Sequence, residues 1–211
     1  MNRAVRIAYF GDSITWGEGH YPGKGIVPEK RWTTLTERSL VSEYPFIYTK
    51  NLGVNGNTTR DGLERLPDLY AFHPDIVTLQ FGLNDCNCWL SDGGYPRVNI
   101  RSFGYNLIEI INKVQASGTP LIILSTNPVC PVKKPLLNGK SFGDHADEYN
   151  RVIRTIATKT GTPLCDIAAG FPLDTSLFLD ENGRWVHLSE SGNSKYASLI
   201  LPQLQGAMES L

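Results

Sequence analysis

Long apolar runs are missing from this 211-residue chain, and with them any segment able to span a bilayer as a helix. Charge of one sign is missing too. Twenty Lys and Arg stand against 21 Asp and Glu, leaving a formal net charge of −1. That balance offers no basic surface for the phosphates of a nucleic acid or for an anionic membrane face, so neither partner is expected. Cysteine is scarce: Cys86, Cys88, Cys130 and Cys165. The opening residues MNRAVRIAYFGDS hold an apolar run too short for a secretory signal and lack a small-residue cleavage site. The expectation is a cytoplasmic protein with reduced thiols. Cys86-x-Cys88 is too short for a zinc knuckle and has no third ligand nearby, so no metal site is expected.

Repeats, low-complexity tracts and linkers are lacking as well. With 41% hydrophobic and 19% charged residues, the composition is that of a globular domain, read here as one domain over 1–211. Strand-like and helix-like segments alternate. Apolar runs at 4–10, 46–52, 75–81, 120–125 and 163–167 read as strands, most of them apolar on both faces as buried parallel strands are. Helical patterns fall at 31–44, 59–72, 102–117, 145–160 and 189–208. Within 102–117, Leu107, Ile108, Ile111 and Val114 form one stripe, stopped by Gly118 and Pro120. Asp144 is the expected N-cap of the helix over 145–160, and Gly161 follows its end. Repeated strand–helix units imply an α/β fold, a three-layer α/β/α sandwich with a five-stranded parallel sheet of flavodoxin-like type. Ligands of such sheets bind outside the carboxyl ends of the strands.

Polar, glycine-containing turns follow the first three strands: Gly11-Asp12-Ser13-Ile14, Gly53-Val54-Asn55-Gly56-Asn57-Thr58 and Gly82-Leu83-Asn84-Asp85. Late in the chain comes Val186-His187-Leu188-Ser189. The fold rule puts the first three on one rim. Ester hydrolysis needs a hydroxyl nucleophile, a base within hydrogen-bond reach and preorganised donors for the oxyanion. Ser13, His187 and the trio of Ser13 N–H, Gly56 N–H and Asn84 side-chain amide meet that list. A glycine at 56 leaves the backbone open to a substrate. The competing structural readings are a helix-capping role for Ser13 and a surface histidine at a helix start for His187. Asp12 reads as a turn residue. His20, His73 and His145 carry no motif and read as structural or solvated.

GDSI at 11–14, GVNGNTT at 53–59, FGLND at 81–85 and VHLSESG at 186–192 resemble the four blocks of the SGNH hydrolase superfamily, the GDSL-type lipases, esterases and acylhydrolases. The resemblance runs over nearly the whole chain. It implies the same three-layer sandwich, with Ser13 as nucleophile, Ser13, Gly56 and Asn84 as the oxyanion hole, and His187 as the base. It implies no metal and no organic cofactor.

One block departs from the family pattern. The acid that stands three residues before the histidine is replaced by Arg184, which cannot accept the imidazole N–H. Either Asp180 reaches in as the acid across a short insertion, or a backbone carbonyl holds the ring and the site works as a Ser–His dyad. The dyad is slightly preferred. A third outcome is a decayed site.

The expected function is a serine esterase or acylhydrolase that cleaves carboxylic esters through an acyl-enzyme. Short-chain or O-acetyl esters, on a small molecule or a carbohydrate, are the expected substrates, since no extended apolar groove signature is present. The alternatives are an acyltransferase using the same site, and a catalytically weakened carbohydrate-binding protein. A nucleotide- or flavin-binding protein is disfavoured because no G-x-G-x-x-G or G-K-[ST] follows the first strand. An α/β-hydrolase is disfavoured because no G-x-S-x-G elbow occurs. Three long loops, 14–30, 86–100 and 129–143, are expected to shape specificity. Their cations Lys24, Lys30, Arg97, Lys133, Lys134 and Lys140 read as a solvated rim before an acidic-substrate site. Trp16, Trp32, Trp89 and Trp185 fall near the same edge, as sugar-stacking surfaces or as packing under the loops. Cys86, Cys88 and Cys130 follow strands and approach the same rim.

Overall fold

The computed structural model describes residues 4–18, 27–89, 91, 93–129, 135–136, 138–179 and 186–211. Five strands, β1 (Val5–Gly11), β2 (Ile47–Gly53), β3 (Ile76–Gln80), β4 (Leu121–Ser125) and β5 (Leu164–Cys165), form one sheet in the order β2-β1-β3-β4-β5. Every neighbouring pair is parallel. The expected architecture is therefore observed. The central strands β1 and β3 are buried almost throughout, while β2 carries exposed Tyr48 on the sheet edge. That explains why only β2 reads as a mixed apolar and polar run.

The helices are α1 (Ser13–Trp16), α2 (Trp32–Glu43), α3 (Thr59–Glu64), α4 (Leu66–Phe72), α5 (Ile100–Ala116), α6 (Phe142–Thr160), α7 (Ile167–Gly170) and α8 (Glu190–Glu209). Helices α2 and α8 pack on each other, and α3, α4, α5 and α6 form the contacts of the other layer. Right-handed crossovers require this division for the observed strand order. Tyr9 and Phe10, adjacent on β1, serve opposite faces as strand geometry demands. Tyr9 meets Trp32, which stacks on Tyr196 of α8 with centroids 4.5 Å apart. Phe10 meets Phe81 edge-on at 5.5 Å.

Three expectations need correction. The helix over 59–72 is two helices joined at Arg65, because Pro67 in the first turn of α4 has no N–H to continue the ladder to Leu63. The cap of α6 is Ser141, whose hydroxyl accepts from the Asp144 N–H at 3.1 Å, so Asp144 lies inside the first turn. The fifth strand is only Leu164–Cys165, since Asp166 leaves the sheet to cap α7.

Register decides where the strands end. Gly11 stands opposite Gly53 on one side and Gln80 on the other, and Gln80 stands opposite Ser125. The carboxyl ends of four strands are thus level, and the turns beyond them open on one rim.

Candidate active site

Ser13 is the first residue of α1, and the residue that caps this helix is Asp12, whose carboxylate accepts the Ile14 N–H at 2.9 Å. With capping assigned to Asp12, the Ser13 hydroxyl is left for another partner. That partner is His187, whose Nε2 is 2.9 Å from Ser13 Oγ across 174 positions of sequence.

The histidine block is held by its own local chemistry. Leu188 bridges Phe178 in antiparallel fashion, and the Leu179 N–H donates to His187 O at 2.8 Å. Ser189 then caps α8 by accepting the Gly192 N–H. A side chain at Gly192 would place its Cβ 2.0 Å from Leu177 O, so the S-x-x-G spacing combines a cap with a close backbone approach. Asn193 accepts the Trp32 N–H and donates to Leu188 O and Ser189 O, tying this block to the start of α2.

The second turn lies directly on the first. The Val54 N–H donates to Gly11 O at 3.1 Å. A Cβ on Gly53 would sit 2.2 Å from Trp16 N and 2.8 Å from Asp12 O, so only glycine lets α1 pack here. Gly56 has φ +77°, a left-handed conformation that suits glycine, and no atom lies within 4 Å of where its Cβ would be.

The third turn is bound to the second. Asn84 Nδ2 donates to Asn57 O at 3.0 Å. Asp85 accepts from Thr59 N–H and Oγ1 at 2.5–3.1 Å, fastening the turn to the start of α3. Burial pushes the Asp85 pKa up to about 6, against the pull of these Thr59 hydrogen bonds. Beneath α1, Gln80 Oε1 accepts from Thr15 N–H and Oγ1, and Gln80 Nε2 donates to Asn127 Oδ1 at 2.7 Å. Asn127 is buried and bonded onward to Phe81 O and Asn150. These groups form a polar floor under the rim.

The four sequence blocks thus meet. Asp180, Arg184 and Trp185 lie outside the described residues, as do His20, Lys24, Cys130, Lys133 and Lys134. Trp32 is a core residue and not part of the rim. Trp16 and Trp89 are 38% and 44% exposed, each with a guanidinium on its ring: Arg31 at 4.5 Å and Arg97 at 4.0 Å. Lys30 and Lys140 pair with Glu190 and Glu148, which fits a solvated rim better than an anion site. Cys86 and Cys88 are buried, and burial raises the Cys86 thiol well above its usual range. Among the described residues no cluster of His, Cys, Asp and Glu is arranged to hold a metal, and no helix is long and apolar enough to cross a membrane. His73 ends α4 in a left-handed conformation, and His145 is buried beside Asn138.

Arg65 is not legible from the sequence as a site residue, and Arg97 reads there only as one cation of the rim. Arg65 donates to Asn57 Oδ1, Leu52 O and Gly11 O, and Arg97 donates to Gly56 O. Arg65 falls within a helical pattern, where an arginine reads as a solvated face, and no spacing in the sequence marks it otherwise.

Asp12 provides a test of the local electrostatics. Its carboxyl is fully buried, and Oδ2 has no hydrogen-bond partner among the described residues. Burial pushes its pKa up to about 7, opposed by the Ile14 N–H. A carboxyl whose folded pKa exceeds its unfolded value binds more protons in the folded state through that window. Stability therefore falls as pH rises from about 4 to about 7. Asp12→Asn keeps the cap acceptor and removes the titration. Its urea midpoint is expected to lose part of this downward slope. A slope identical to that of the parent would show that Asp12 does not titrate there.

A family model described as GDSL-like Lipase/Acylhydrolase matches residues 9–195. An arylesterase from Vibrio mimicus is 28% identical over 140 residues, covering 66% of this chain and 60% of that protein, so the match spans about three fifths of that relative's length. The fold superposes on a lipase/acylhydrolase from Enterococcus faecalis with TM-score 0.75, at 23% identity over 96% of both chains. It superposes equally, with TM-score 0.75, on a mutant of an acetyl-xylooligosaccharide esterase from Geobacillus, at 25% identity over 96% of this chain and 95% of that one.

Proposed function

The chain belongs to the GDSL-like lipase/acylhydrolase family, and from that premise we propose that it is a serine esterase acting on short-chain or O-acetyl esters through an acyl-enzyme. The observation that carries this reading is the 2.9 Å contact between Ser13 Oγ and His187 Nε2. Serine attack on a carbonyl requires a base at that distance.

In the proposed reaction Ser13 Oγ forms a bond to the ester carbonyl carbon, and its proton passes to His187 Nε2. The carbonyl oxygen becomes the oxyanion, received by the N–H groups of Ser13 and Gly56 and the Asn84 amide. Collapse breaks the bond to the alcohol oxygen, which takes the proton from the imidazolium. Water then repeats the sequence on the acyl-enzyme: His187 accepts its proton, the acid is released, and Ser13 regains its hydrogen. Orientation of the ring through its other nitrogen falls to Asp180 or, in a Ser–His dyad, to a main-chain carbonyl. The chemistry itself calls for neither metal nor organic cofactor.

The carbohydrate part of the reading is supported by the rim. Trp16 and Trp89 expose ring surface next to the Ser13 and Asn84 turns, suited to a sugar or other flat alcohol. The acetyl-xylooligosaccharide esterase among the structural neighbours has a substrate of this kind. With p-nitrophenyl esters of increasing chain length, kcat/KM is expected to fall by about tenfold or more from acetyl to octanoyl. Equal turnover along the series would defeat the short-acyl assignment and leave the esterase assignment standing.

A further inference from the structure

The reaction asks three donors on three different turns to hold one oxyanion. Little in the 53–58 turn itself fixes it. Its middle residue, Gly56, is left-handed and faces open space, and its internal backbone bond is Asn57 N–H to Val54 O at 3.2 Å. What holds it comes from outside. We infer that Arg65 is a positioning residue that sets the oxyanion hole, by locking the Gly56 turn to the strand that presents Ser13. The inference rests on the esterase reading.

Three bonds from one planar group make this link. Arg65 Nη2 donates to Gly11 O at 3.2 Å, two residues before Ser13. Nη1 donates to Leu52 O at 3.2 Å, at the end of β2 where the turn begins. Nε donates to Asn57 Oδ1 at 2.5 Å, next to Gly56. The guanidinium lies 4.9 Å from the centroid of the buried Phe10 ring, on the same strand as Gly11. A rigid, flat fork therefore spans both strand ends and the turn. Lysine has the charge without the fork, so it cannot reproduce this geometry.

A second guanidinium acts on the same turn. Arg97 Nη1 donates to Gly56 O at 2.9 Å while its guanidinium rests on Trp89. Asn84 holds the neighbouring carbonyl, Asn57 O. Removing Arg65 leaves these two contacts and the Val54 N–H bond to Gly11 O, but takes away the side-chain tie between Asn57 and the two strand ends. Donors displaced by about 1 Å cost on the order of 10²-fold in rate. Because the oxyanion exists only in the transition state, the loss belongs in kcat and not in KM.

The test compares wild type, Arg65→Lys and Asn57→Ala. Asn57→Ala is the second variant because it removes only the turn contact and leaves the Gly11 and Leu52 bonds that hold the strands. The readouts are kcat and KM for an aryl acetate, the pH–rate profile, and Kd for an alkylboronic acid. That probe adds Ser13 Oγ to boron, with the proton passing to His187, and mimics the tetrahedral intermediate. Arg65→Lys is expected to lower kcat by about 10–10²-fold and to weaken boronate binding in parallel, with KM and the acid limb unchanged. Asn57→Ala should show a smaller loss of the same kind, and the double variant should be no worse than Arg65→Lys alone. Wild-type kcat and boronate affinity in both variants would overturn the proposal, as would a loss confined to KM or one accompanied by a shifted acid limb. If Arg65→Lys fails to fold, Asn57→Ala decides. Absence in wild type of any esterase activity that Ser13→Ala removes would instead strike the esterase reading itself.

Discussion

Ser13→Ala is expected to lower kcat/KM for p-nitrophenyl acetate on the order of 10⁶-fold and to abolish labelling by a fluorophosphonate. The size follows from the role: a serine hydrolase without its nucleophile retains only what binding and the oxyanion donors supply. The variant should fold. Ser13 is 6% exposed, and the cap of α1 belongs to Asp12, so alanine removes one oxygen and no helix contact. Alanine also keeps the residue-13 N–H as an oxyanion donor, which confines the change to the hydroxyl. Labelling that persists in this variant would mean that another residue carries the acyl group. Cys86 is a poor candidate for that role, since its thiol is fully buried and held far from the thiolate form.

His187→Gln should cost about as much, roughly 10⁴–10⁶-fold. Glutamine preserves hydrogen-bonding capacity near Ser13 Oγ but cannot take the proton. The two losses should not add. A double variant with Ser13→Ala ought to be no slower than either single variant, because hydroxyl and imidazole act as one unit across their 2.9 Å contact.

The core strands were legible because both faces are buried and each ends in a glycine turn. GDSI, GVNGNTT, FGLND and VHLSESG were legible because the chemistry and the packing constrain the same short segments. Gly53 and Gly192 are glycine for close approach, Ser189 is serine for capping, and Asp85 is aspartate to hold Thr59. The helical period over 59–72 runs through Pro67, whose missing N–H divides the segment into two helices at Arg65. Asp144 and Ser141 both have side chains suited to capping, and the structure gives the cap to Ser141.

The contacts that Arg65 and Arg97 make are not legible in the sequence for another reason. Nothing local distinguishes an arginine that faces water from one that reaches three carbonyl-type oxygens on other elements. Its long, flexible side chain takes its meaning from where the acceptors lie.

Local order is a matter of neighbours in the chain: apolar period, turn chemistry and caps act within a few residues, and the amino-acid sequence alone therefore pointed to the strands, to the turns after them and to Ser13, Gly56, Asn84 and His187 as candidate site residues. Their meeting is not local. It depends on the level register of Gly11, Gly53 and Gln80, on the Phe178–Leu188 bridge that carries His187 across to Ser13, and on the guanidinium that binds the turn at 57 to the strand at 11. Those are contacts between segments far apart in the chain, selected by packing of the whole sheet and its two helical layers, and only the folded molecule decides them.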